Sequence, residues 1–348
     1  MRRSLFLLAV ASLLVCARSS AACTSFCYES TGTRVFGKNY DWSVEEGLVI
    51  VNKRNVTKTA LTTDNPATWT SQYGSVTFNQ YGREFPSGGI NQKGLVIELM
   101  WLEVASYPQP DQRFALPTLQ WIQYQLDNAA TVDDVVASDA TIRIAEGGSA
   151  KIHFLVADEK GNVAAIEYLT GRMAVYRGDD LPYPALTNDT YETSVAYARG
   201  VDSTLPLSTS SFDRFARAAR GLPLVEKKRN AVDEAFALLD EVEQAGYTQW
   251  SIVYDIGERR AHFRTRLHRE VRFLDLDHVD FSCTAPVLMV DVNAAYQGDV
   301  SKHLVEYSQE ANRSLVRAAF DKTEFLGETP RETVEALARY PAGTACKP

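Results

Sequence analysis

The residues able to do chemistry are concentrated where a run of small side chains meets a cysteine, in Ser20-Ala21-Ala22-Cys23-Thr24-Ser25-Phe26. Residues 1–22 have the three parts of a secretory leader: Arg2-Arg3, an apolar run from Leu5 to Cys16, and small residues at the −3 and −1 positions before Cys23. Cleavage after Ala22 would make Cys23 the first residue of the mature protein. Such a residue carries a thiol nucleophile and a free α-amine together, and the amine, with an ordinary pKa of about 7.7 to 8.0, can accept the thiol proton near neutral pH. Leader removal would then be the activating step. The junction also permits a bacterial lipoprotein, whose cysteine is lipidated and does no chemistry. Against that reading, Ser20 stands where such signals usually carry Leu, and no polar tether follows Cys23. A second cluster, Phe36-Gly37-Lys38-Asn39-Tyr40-Asp41-Trp42, places a cation and a carboxylate three positions apart. Taken singly, Asp41 is more often a turn or capping residue, and Lys38 more often a solvated surface charge.

These side chains need a frame to bring them together, and the first hundred residues supply strand signals. Thr24 to Tyr28, Arg34 to Lys38, Leu48 to Lys53, Ser75 to Asn79 and Leu95 to Leu102 are rich in β-formers, with a Thr31-Gly32 turn between the first two. Helical spacing follows over Pro117 to Asn128 and Val132 to Ser138. Ile152 to Asp158 and Val163 to Leu169 flank Glu159-Lys160-Gly161-Asn162, a hairpin turn. Helices are predicted at Ser211 to Gly221 and Ala231 to Ala245, then strands at Trp250 to Asp255, Ala261 to Arg266 and Val271 to Leu276. Blocks of strands separated by paired helices predict an α+β protein with two stacked antiparallel sheets covered by helices. Residues 23–279 read as one catalytic unit, and residues 280–348, with helices at Lys302 to Asp321 and Pro330 to Tyr340, as a C-terminal extension on or beside it.

Composition narrows the function classes. A net charge of −8 argues against nucleic acid and anionic membranes as partners. Beyond the leader no apolar run approaches the roughly 18 residues of a membrane span, so no integral membrane protein is expected. Cys23 and Cys27, on one extended strand, would lie about 13 Å apart at roughly 3.3 Å per residue, too far to pair. In an exported chain the expected disulfide is Cys283 to Cys346, with two free buried thiols as the alternative. The five histidines form no His-x-x-x-His pattern, and neither a P-loop nor a dinucleotide glycine motif is present. No metal or cofactor is implied.

Taken together, the terminal cysteine and the Lys38/Asp41 cluster resemble the choloylglycine hydrolase family, N-terminal-nucleophile amidases that include bile salt hydrolases and penicillin V acylases. Mature chains of that family begin Cys-Thr and continue to Phe-Gly-Arg-Asn-x-Asp, matched here by Phe36 to Asp41. The likeness continues through Gly89-Ile90-Asn91-Gln92-Lys93-Gly94-Leu95, His153 to Asp158, Leu186-Thr187-Asn188, Phe212-Asp213-Arg214-Phe215 and Tyr247-Thr248-Gln249-Trp250, in family order, from about Cys23 to Leu276. It implies a four-layer αββα sandwich and cleavage of a small N-acyl amide. By the same resemblance Cys23 is the nucleophile, Asp41 holds its amine, the Asn188 amide and the Trp101 backbone N–H receive the oxyanion, and Arg214 completes the charged network.

Two departures are informative. The family arginine is Lys38, which keeps the charge that favours a thiolate but loses the planar fork. At Trp101, bile salt hydrolases of Gram-positive type carry Asn and penicillin V acylases an aromatic residue, so the resemblance implies a penicillin V acylase-like preference for aromatic or extended acyl groups. Bile salt hydrolase, N-acyl homoserine lactone acylase, and an inactive exported binding protein or lipoprotein of the same fold remain as alternatives. Location in the periplasm or outside the cell follows from the leader, and a homotetramer from the family; the sequence itself leaves the oligomeric state open.

Overall fold

The computed structural model describes residues 22–30, 32–146, 150–202, 204, 206–224 and 230–347, so the leader expectation lies outside it apart from Ala22. Seven helices are present among these residues: α1 (Thr118–Asn128), α2 (Val132–Ser138), α3 (Tyr191–Gly200), α4 (Ser211–Gly221), α5 (Ala231–Glu241), α6 (Gln309–Lys322) and α7 (Arg331–Arg339). Around them run two large sheets. The first orders its strands Ala185–Leu186, Thr24–Ser30, Thr33–Asp41, Thr248–Asp255, Arg260–Thr265, Arg272–Asp275 and Gly298–Asp299, with only the last pair parallel. The second is antiparallel throughout and has nine strands, among them Leu48–Asn52, Ser75–Asn79, Gly88–Asn91, Val96–Trp101, Ile152–Ala157 and Leu288–Asp291.

Apolar side chains from the facing sheet surfaces weld the two layers. Phe78 of the second sheet meets Tyr254 and Phe263 of the first edge to face, with ring centroids 6.2 and 5.5 Å away. Each such fully buried ring contributes about 1.5–3 kcal/mol. On the outer faces, α4 and α5 lie against the first sheet and α1 against the second, and α2 shares an apolar cluster with α1. This is the αββα sandwich expected from the alternating strand and helix blocks.

Period-two alternation along Thr33–Asp41 sorts its side chains between the layers. Lys38 bonds to groups of the second sheet, whereas Asn39 donates to Leu239 O on α5 at 2.8 Å. Gly37 must be glycine, because a Cβ there would lie 2.5 Å from the Phe26 ring on the neighbouring strand.

Residues 280–347 are woven into the sandwich. Leu288–Asp291 and Val305–Glu306 extend the second sheet, Gly298–Asp299 extends the first, and α6 packs with α7. A disulfide joins Cys283 to Cys346, Cα atoms 5.6 Å apart, and Ala345–Cys346 pairs with Val56–Thr59. The helix predicted from Lys302 starts only at Gln309, where Ser308 caps it by accepting from the Ala311 N–H; the preceding residues form a 3-10 turn, Val300–His303, and a two-residue strand. Helix α3, unpredicted, buries only Tyr191, Ser194 and Val195, too few side chains to leave an apolar stripe in the sequence.

Candidate active site

Cys23 stands immediately before the Thr24–Ser30 strand, which lies inside the first sheet between Ala185–Leu186 and Thr33–Asp41. Its side chain is buried at the floor of a cleft of about 860 Å³, and its sulfur lies 4.0 Å from the Asp41 carbonyl oxygen. The backbone nitrogen of Cys23 donates to Asn188 Oδ1 at 2.8 Å. Arg214, entirely buried on α4, donates to the same oxygen at 2.8 Å and to Cys23 O and Thr24 Oγ1, each at 2.7 Å. One guanidinium therefore orients both the cysteine and the asparagine.

The Asn188 amide is fixed in one orientation because its oxygen accepts from two donors. Its nitrogen donates to Trp101 O at 3.0 Å, leaving its second hydrogen for another acceptor. Asn188 is held from behind: its backbone N–H donates to Ser211 Oγ, and Thr187 O is 2.7 Å from His153 Nε2. His153 is in turn bonded to Glu167, which also accepts from Tyr191 N at the start of α3.

Asp41 is fully buried with Arg214 Nη1 3.8 Å from its Oδ2. Its oxygens accept from Thr248 Oγ1 at 2.5 Å and Gln244 Nε2 at 2.9 Å. The acceptor at the Cys23 nitrogen is thus Asn188, while Asp41 reaches the junction through Gln244, which also donates to Ala22 O at 3.1 Å. Lys38 is fully buried on the inter-sheet side, donating to Leu99 O and to Met100 Sδ. Trp101 meets Trp42 and Phe325 along one wall of the cleft, with ring centroids 6.2 and 5.6 Å away.

Burial dominates the electrostatics. It pushes the Cys23 thiol up, and the strongest opposing influence is the Lys38 ammonium, with Arg214 acting the same way. Burial likewise raises Asp41 against the pull of Arg214 and its two hydrogen bonds, and lowers Arg214 against the pull of Asp41. The site therefore offers a buried sulfur beside two cations and an oriented amide donor, the parts an acyl transfer needs.

All six sequence-derived residues, Cys23, Lys38, Asp41, Trp101, Asn188 and Arg214, converge on this region. Sequence reasoning named His153 only as the start of a family-like stretch and did not single out Gln244, Glu167 or the cleft wall from the C-terminal segment. The sequence pattern carries the helix from Ala231 to Ala245, but α5 ends at Glu241, and Gln244 falls in the loop that follows. Only Tyr247 to Trp250 had marked that neighbourhood. Among the described residues, no three His, Cys, Asp or Glu side chains come together as a metal site, and no helix is long and apolar enough to cross a membrane.

Two large sheets packed face to face between helices, with a cysteine at the head of the strand next to the edge of the first sheet, have the fold of the N-terminal-nucleophile hydrolases. Residues 23–197 match linear amide C–N hydrolases of the choloylglycine hydrolase family, and the chain belongs to that family. It is a hydrolase acting on linear amide bonds. Similar to it is a penicillin V acylase of Pectobacterium atrosepticum, 25% identical over 352 residues that cover 85% of this chain and 93% of that one. The structure of penicillin V acylase from Agrobacterium tumefaciens matches with a TM-score of 0.73 at 25% identity, over 82% of this chain and 98% of the other. A conjugated bile acid hydrolase variant from Clostridium perfringens shares the fold, with a TM-score of 0.67 at 16% identity over 79% and 98%.

Proposed function

We propose that this protein is an exported amidohydrolase of penicillin V acylase type, in which removal of residues 1–22 leaves Cys23 as an N-terminal nucleophile. The observation that carries the reading is the 2.8 Å bond from the Cys23 nitrogen to Asn188 Oδ1 at the floor of an apolar cleft. In the processed enzyme that nitrogen becomes an amine, and Asn188 keeps it beside the sulfur.

The amine takes the thiol proton as sulfur attacks the amide carbonyl carbon. The carbonyl oxygen, now negative, receives the second hydrogen of Asn188 Nδ2 and the Trp101 backbone N–H. Collapse of the tetrahedral intermediate breaks the C–N bond, and the amine hands its proton to the departing nitrogen. Water, activated by the same amine, then hydrolyses the thioester and releases the acid. Lys38 favours the sulfur anion throughout, and Arg214 holds the Cys23 carbonyl. Trp42 and Trp101 line the cleft beside the sulfur and suit an aryl or extended acyl group better than a broad steroid.

Turnover of penicillin V, glycocholate and an N-acyl homoserine lactone by wild type and Cys23→Ala tests the proposal. Penicillin V should be hydrolysed faster than glycocholate, and Cys23→Ala should be inactive on all three. Equal turnover by both proteins would remove Cys23 from the mechanism, and absence of turnover by wild type would favour a binding protein of this fold. A diacylated Cys23 would identify a lipoprotein instead.

A further inference from the structure

Lys38 is a buried cation without an adjacent counter-ion. Among the described residues its ammonium meets Leu99 O and Met100 Sδ and forms no ion pair, and thioether sulfur is a weak acceptor. Asp41, the acid beside Cys23, is matched by Arg214. A buried charge left unpaired is costly, so the balancing charge must be sought close by.

It is found on the strand that Lys38 touches. Glu98 precedes Leu99 on Val96–Trp101 and, by strand alternation, shares the inward face with Met100. It is 1% exposed and accepts from Tyr254 Oη at 2.6 Å. Its cross-strand partner is Gly88, and a Cβ there would fall inside the space its carboxyl group occupies. The fold thus reserves a niche for an acid at this point. The ionisable groups that face Glu98 are Lys38 and Tyr40 from one strand and Tyr254 from the next, with Cys23 beyond Lys38.

We propose that Glu98 is the counter-charge of Lys38 and, through that cation, a positioning residue that governs how readily Cys23 forms its thiolate. With Asp41 and Glu98 ionised, they cancel Arg214 and Lys38, and a thiolate adds one uncompensated negative charge. With Glu98 neutral, the site carries one net positive charge and the thiolate restores balance. Burial pushes Glu98 up to about 7, against the pull of Lys38 and Tyr254, so its charge is present where a raised thiol titrates.

The inference rests on Cys23 being the nucleophile, and its test reads the thiol directly. The rate of Cys23 alkylation by iodoacetamide is followed against pH in the secreted, processed enzyme, by peptide mass spectrometry, with buried Cys27 as internal reference. Glu98→Gln should lower the Cys23 pKa by about one unit, speeding alkylation about threefold at a fixed pH below it. Tyr254→Phe, which removes only the hydroxyl holding the carboxylate, should shift it the same way by less, and it carries the test if Glu98→Gln does not fold. Cys27 should be unchanged in both. A folded variant with an unchanged or raised Cys23 pKa would overturn the proposal, as would equal acceleration at Cys27, which would mean a loosened core. Failure of the nucleophile assignment looks different: enzyme fully alkylated at Cys23 would retain its activity.

Discussion

The Cys23 backbone nitrogen and the Asn188 side-chain oxygen, 165 positions apart in the chain, are 2.8 Å apart in the fold. Because that oxygen also accepts from Arg214, the amide cannot rotate without breaking two bonds, and its nitrogen stays directed towards Trp101. A donor held in this way incurs no reorganisation when charge develops on a substrate oxygen. Asn188→Ala should therefore reduce kcat by about 100-fold to 1000-fold with a small change in KM. Steady-state kinetics on penicillin V will show it, and a loss of less than about threefold would remove Asn188 from the oxyanion site.

The C-terminal segment reaches the catalytic cleft through Phe325, which is 61% exposed and packs on Trp101 and Trp42 with ring centroids 5.6 and 6.2 Å away. A ring that leaves so much surface in water at the mouth of an apolar cleft is placed to meet an aryl acyl group. Aromatic pairs contribute about 0.5–1.5 kcal/mol, so Phe325→Ala should lower kcat/KM for phenoxyacetyl amides by about tenfold or less and leave acetyl amides unaffected. A parallel loss on both substrates would show that Phe325 only supports the wall.

How much of this was legible follows from the range of each signal. The strands Ser75–Asn79 and Val163–Leu169 and the helix Ser211–Gly221 were predicted at their observed bounds, because β-formers and helical spacing act locally. Cys23, Asp41 and Asn188 were readable from short motifs and the resemblance they carry. Gln244 was not, since its role arises only when a loop after α5 meets Asp41, 203 positions away. Nor was the contribution of residues 280–348, whose mixed polar and apolar sequence hides two-residue strands that complete the sheets. Lys38 taken singly reads as a surface charge and Glu98 carries no signal of its own in sequence; the sheet-on-sheet packing buries both.

The Cys283–Cys346 bond closes a loop with a sequence separation of 63, and that loop contains α6, Phe325 and α7. On loop-entropy grounds its loss should cost about 4 kcal/mol. Thermal unfolding of Cys283→Ser/Cys346→Ser should show a midpoint several degrees lower, accompanied by a raised KM as the cleft wall loosens. An unchanged midpoint would mean that the strand pairing of Ala345–Cys346 alone secures the tail.

Acid should weaken the fold through His262. Burial first, and Arg260 second, lower this partly buried imidazole to about 4 from an ordinary 6.5. Between those values the unfolded chain holds a proton that the folded one refuses. The stabilisation is complete above pH 6.5 and is lost as the pH falls towards 4, by roughly 2 kcal/mol after allowing for partial solvent access. Urea unfolding at pH 7 and pH 4.5 should therefore lose less stability in His262→Gln than in wild type. Equal losses would place the acid sensitivity elsewhere.

The most direct measurement is the intact mass and N-terminal sequence of the active protein recovered from outside the cytoplasm. The account predicts a chain that begins at Cys23 with an unmodified amine, and no turnover from any preparation that keeps Ala22 attached. Full activity from a chain with Ala22 still joined to Cys23 would contradict it, because the base that the mechanism requires would then be an amide.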